Sequence, residues 1–149
     1  MACGFESRQA HNLYERVLIM NKRKVSVPVF PPFVDILGTP WKIEIHKYDE
    51  DSYFKKRRCD GYCSEPDQIV VVCDMTTWPS YDDASSSDEF VANNMKRTLR
   101  HEITHAFFTE SGLSDSSNDF HDGWAVNEEM VDWIARQGPK LYKAWEEAG

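Results

Sequence analysis

The run His101-Glu102-Ile103-Thr104-His105 holds the residues best suited to chemistry in this chain. Two histidines at i and i+4 share one face of a helix, about one turn apart, so both imidazoles can reach a single ion at about 2.0–2.1 Å. Glu102 points about 100° round the helix from His101, where it can reach a water beside that ion rather than the ion itself. An ion, a water and a carboxylate base are what metal-assisted hydrolysis of a peptide bond requires. His101 and His105 are therefore candidate zinc ligands, and Glu102 a candidate general base.

A catalytic zinc usually takes three protein ligands and keeps one position open. No third histidine follows His105 at close range. The stretch Asn127-Glu128-Glu129-Met130-Val131-Asp132 offers carboxylates instead. Glu128 and Asp132 are i and i+4 and share a helix face. Glu128 is then the third ligand, and Asp132 accepts a hydrogen bond from the other ring nitrogen of a ligating histidine, fixing its tautomer. Glu129 competes for the ligand role. Val131, Ile134 and Ala135 flank the face of Glu128 and favour it over its neighbour.

These residues need elements to position them. Ser86-Ser87-Asp88-Glu89 is a capping-box pattern, and a long helix is predicted over 88–111. Its apolar stripe is Val91, Met95, Leu99, Ile103 and Ala106 or Phe107, and Gly112 stops it. Residues 113–122 read as a polar loop. A second helix is predicted over 123–137, stopped by Gly138-Pro139. A short last helix, 140–148, packs through Leu141, Tyr142 and Trp145.

Upstream, Trp41, Ile43 and Ile45 alternate with Lys42, Glu44 and His46, the pattern of a half-buried strand. Ile69 to Cys73 is a continuous run suited to a strand buried on both faces. Residues 49–67 are polar, with turn signals at Asp60-Gly61 and Glu65-Pro66-Asp67. Val27 to Pro32 is extended because of its prolines. Residues 1–24 carry Leu13, Val17 and Met20 at helical spacing, and 1–40 as a whole are weakly assigned. The expectation is one α+β domain over 1–149. A small twisted sheet packs on a long active-site helix, and a second, ligand-bearing helix follows.

The formal net charge is −8 over 149 residues, which disfavours nucleic acid as a partner. No apolar run is long enough to cross a bilayer, and residues 1–10 lack a signal-like apolar segment. The chain is expected to be a cytoplasmic monomer, with a protein or peptide as its substrate. Lys55-Lys56-Arg57-Arg58 and Lys22-Arg23-Lys24 read as solvated loop faces. The four cysteines, Cys3, Cys59, Cys63 and Cys73, read as free thiols.

His101-Glu102-x-x-His105 followed by Asn127-Glu128-x-x-x-Asp132 resembles the gluzincin class of zinc peptidases. Thr98-Leu99 before the motif and Glu110-Ser111-Gly112-Leu113 after it resemble the compact minigluzincins and the small ImmA/IrrE-like metallopeptidases of phages and mobile elements. The resemblance covers about residues 60–137. It implies a zinc endopeptidase whose active helix lies under a small sheet, with Ile69 to Met75 as a strand of that sheet. It also implies an oxyanion-stabilising donor just before the third ligand, where His121 stands. Tyr62 and Tyr142 are further candidates for that role. Two other functions fit the same residues. One is a regulatory or binding protein of a phage or mobile element that keeps the fold. The other is a zinc hydrolase of a non-peptide amide or ester.

Overall fold

A computed structural model describes residues 25–82, 86–116, 125 and 127–148. The helical signal in 1–24, Lys22-Arg23-Lys24, Cys3 and His121 lie outside the described residues.

The alternation around Trp41 forms strand β2 (Thr39–Lys47), which pairs antiparallel with β1 (Phe33–Ile36). The turn between them places Leu37 and Gly38 at φ of 54° and 92°. Two positive φ values in succession suit a hairpin that keeps the strand twist, and Gly38 donates its N–H to Asp35 Oδ1 at 3.1 Å. The apolar run becomes β4 (Ile69–Asp74), parallel to β2 and antiparallel to β3 (Gly61–Ser64). The sheet order is β1-β2-β4-β3.

β4 is thus an inner strand, and its residues go to two cores. Val70 and Val72 join Trp41, Ile43, Ile36 and the long helix on one face. Val71 and Cys73 pack with Phe54 and Tyr62 on the other. Burial on both faces is what its unbroken β-branched run requires.

The stretch 49–67 is more regular than its polar composition suggests. It folds as α1 (Ser52–Arg57) and then β3. Asp51 caps α1 by accepting from the Tyr53 N–H at 2.7 Å. One buried residue, Phe54, anchors a helix that is otherwise exposed, so no apolar period announces it. Lys55, Lys56 and Arg57 lie on the last turn of this helix rather than on a loop.

The long helix is α2 (Asp88–Glu110). Its N-cap is Ser87, whose Oγ accepts from Phe90 N at 3.0 Å, so the Ser86–Glu89 capping box does not form. Val91, Met95, Leu99 and Ala106 face the sheet, whereas Phe107 is exposed. At the far end Glu110 ties the helix to β2 by accepting from Trp41 Nε1 at 3.1 Å and from the Thr39 hydroxyl. A short helix, α3 (Leu113–Ser116), replaces the start of the expected loop.

The second helix departs most from expectation. It starts at Glu128, capped by Asn127 Oδ1 accepting from Met130 N at 2.9 Å, and not at 123. It then runs through Gly138-Pro139 to Ala148 as one helix, α4 (Glu128–Ala148). Pro139 lacks the N–H that would bond the Ala135 carbonyl. Arg100 of α2 supplies the missing donor, its Nε lying 2.7 Å from Ala135 O. The stop signal fails because a side chain from another helix satisfies the group that proline orphans. Of the residues expected to pack the last segment, Leu141 is partly buried, whereas Tyr142 and Trp145 are exposed.

Candidate metal centre

The apolar stripe of α2 fixes which side chains can turn toward β3. With Val91, Met95 and Leu99 in the core, Thr98, His101, Glu102 and His105 come round to the face beside that edge strand. Thr98 donates to Asp60 Oδ2 at 2.8 Å, just ahead of β3. Gly61 opens the strand against the helix. A Cβ there would lie 2.6 Å from Thr98 Cγ2 and 2.8 Å from Glu102 Oε1. Only a glycine lets β3 come this close.

α4 brings the third group. His101 Nε2 lies 3.1 Å from Glu128 Oε2, His105 Nε2 lies 3.5 Å from the same oxygen, and the two ring nitrogens are 3.1 Å apart. His101, His105 and Glu128 form a group that could hold a metal ion. Donors bound tetrahedrally at about 2.0–2.1 Å stand about 3.3 Å from one another, so the spacing fits. The donor chemistry fits too. His101 Nδ1 bonds Asp132 Oδ1 at 3.0 Å; a carboxylate only accepts, so Nδ1 is the donor there, and Nε2 is the ring nitrogen that faces Glu128. Two ring nitrogens and a carboxylate oxygen at these distances can share a cation, either a proton on an imidazole or a metal ion. Glu129 is exposed and outside the group.

Burial tunes the titratable groups. It holds His105 below its usual pKa, with His101 acting in the same direction and Glu128 against it; a neutral imidazole is the ligating form. Asp132 stays below the usual carboxylate range. Burial opposes this, but the His101 bond and then Arg136 and Arg97 prevail. Glu102 is buried, and burial, then Asp60 and Glu128, push it up to about 8 without a metal; a nearby cation acts in the opposite sense. Burial and then Glu102 raise both neighbouring thiols, Cys59 and Cys63, the latter to about 12. They are protonated at neutral pH and are poor nucleophiles. Cys59, Cys63 and Cys73 are free.

His101, Glu102, His105 and Glu128 line a cleft of 590 Å³ together with Asp60, Gly61, Cys59, Cys63, Tyr53, Arg57 and Tyr62. Its sheet border is β3, the edge strand; the expected Ile69–Met75 strand is present as β4, one place further into the sheet. Tyr62 donates its hydroxyl to Asp51 Oδ2 at 3.0 Å, so it is committed away from the group. Tyr142 stands 14 residues after Glu128 on one helix, about 21 Å along the axis, and cannot reach it. The sequence reading missed Asp60, Gly61, Tyr53 and Arg57. Asp60-Gly61 shows in the sequence only as a turn signal, and Arg57 only as a member of a solvated basic run.

Comparison of the chain with protein-family models, with curated proteins and with solved structures finds no match. Among the described residues, no helix is long and apolar enough to cross a membrane.

Proposed function

We propose that this chain is a zinc-dependent peptide hydrolase. The observation that carries the reading is the meeting of His101 Nε2, His105 Nε2 and Glu128 Oε2 within 3.1–3.5 Å of one another, with buried Glu102 adjoining them in an open cleft. Two imidazoles and a carboxylate are the donor set for a catalytic zinc. When bound, zinc would supply a Lewis acid and an acidified water.

The residues of the chain do the rest. Asp132 holds the His101 ring in the tautomer whose Nε2 is free to ligate. Glu102 takes a proton from the attacking water as the new C–O bond forms. It returns that proton to the leaving nitrogen as the C–N bond breaks. Gly61, by lacking a Cβ, leaves room for the Glu102 carboxylate beside Thr98 at the wall of the cleft. The edge of β3 gives an extended peptide a backbone to lie against.

The test is cleavage of an unstructured protein by the zinc-loaded chain, abolished by a chelator. Glu102→Gln keeps shape and ligands but cannot accept the proton. Its rate should fall about 10²–10⁴-fold while it still binds one zinc. Cleavage by Glu102→Gln at the wild-type rate would rule out this reading.

A further inference from the structure

The cleft is acidic at Asp60, Glu102 and Glu128, and Arg57 is the one lysine or arginine among its described lining residues. Among the described residues the Arg57 guanidinium makes no ion pair. It lies 5.9 Å from the centroid of the Tyr53 ring, one helical turn back on α1. Tyr53 packs on Tyr62 with ring centroids 4.5 Å apart, and Asp51, the cap of α1, holds the Tyr62 hydroxyl. Arg57, Tyr53 and Tyr62 therefore form a supported row in the cleft wall. Lys42, in the adjoining pocket, differs: it is paired with Glu44.

The charge distribution repeats the point. The chain is acidic overall, yet Lys55, Lys56, Arg57 and Arg58 fall in one exposed run on and just after the helix that walls the cleft. The helix dipole favours cations at that end, but it does not require one to line the cleft. The guanidinium lies within cation–π reach of the ring, and Arg57 is exposed, so its fork of donors is accessible. Of the cleft carboxylates, Asp60 is engaged by Thr98, and Glu128 belongs to the metal group.

We propose that Arg57 reads a carboxylate of the substrate, carried by an acidic side chain or by the peptide C-terminus, and that the basic run on α1 draws such peptides to the cleft. This rests on the peptide-hydrolase reading and names its substrate class. A set of short amidated peptides that differ only in carrying Glu, Gln or Lys at one position, with that position moved along the peptide, tests it. A Gln peptide with a free C-terminal carboxylate separates the two sources. Binding is read by fluorescence anisotropy on the zinc-loaded, full-length Glu102→Gln protein, and kcat/KM on the wild type. A carboxylate should improve binding about tenfold in one register. Arg57→Gln should bring that ratio to about one, Arg57→Lys should keep part of it, and Arg57→Glu should favour the Lys peptide. Equal binding of all peptides, or a preference that survives Arg57→Gln, overturns the proposal. Carboxylate-selective binding without cleavage would leave it standing and remove the hydrolase reading instead.

Discussion

The two helices that meet at the metal group hold their side chains in different ways. On α2 the histidines lie in the body of a long helix, 19% and 21% exposed, above a packed stripe and beside β3. On α4 the contributing residue is the first of its helix, with a side chain 73% exposed. Val131 and Ala135 of that helix are buried, and two polar links tie it to α2: the Asp132–His101 bond and the Arg100–Ala135 bond. Packing fixes one half of the site before any ion arrives. The other half adds to the burial of Val131 and Ala135 a few discrete polar contacts, each of which can be removed alone.

The largest effects should come from the ligands. His101→Ala and His105→Ala should each lower zinc affinity by more than about 100-fold, beyond the range for residues that only support a ligand. Glu128→Ala should act in the same direction, whereas Glu129→Ala should stay near wild type. Asp132→Asn should fall between, at about 10–100-fold. Competition with a chelating dye measures all five. Metal loss in Glu129→Ala but not in Glu128→Ala would put α4 in a different register.

Next is the link between the helices. Arg100→Met should cost about 1–2 kcal/mol in urea unfolding, because the Ala135 carbonyl loses its donor. Pro139→Ala restores an N–H one turn on, so the same Arg100 substitution should cost less in that background. An equal cost in both backgrounds would mean that Arg100 supports α4 by some other contact.

The smallest effect lies on the outer face of the sheet, away from the metal group. His46 bonds Asp51 at 2.8 Å and Glu44 at 2.7 Å. Burial lowers its pKa, but those two partners raise it above the usual histidine value. A raised folded-state pKa adds stability that is complete below the unfolded value of about 6.5 and is lost as pH rises through the folded one. His46 is partly exposed, so the contribution is small. Melting temperature should fall more between pH 6 and pH 9 in wild type than in His46→Gln. Equal slopes would mean that the cluster adds nothing.

The parts of this molecule with a long period were legible in the sequence. The stripe from Val91 to Ala106, the alternation about Trp41 and the run Ile69–Cys73 each bury most of one or two faces, and each forms the expected element. His101, Glu102, His105, Glu128 and Asp132 could be brought together on paper because helical spacing alone relates them within each helix. α1 and β3 were hidden because they span six and four residues, too few to show a period, and because Phe54 alone anchors the helix. The Gly138-Pro139 signal misled for a different reason. Its cost is local, and its remedy, Arg100, lies 35 residues away from Ala135. Arg57 read as a solvated charge because nothing in a basic run reveals which member will turn into a cleft.

The central claim is that His101, His105 and Glu128 hold one metal ion between α2 and α4. A crystal of the zinc-loaded chain, with an anomalous difference map collected across the zinc edge, tests it most directly. The account predicts a single peak about 2.0–2.2 Å from both Nε2 atoms and a Glu128 carboxylate oxygen, with Asp132 still on His101 Nδ1. A peak ligated by Glu129, or zinc bound elsewhere with this group left without it, would contradict the account.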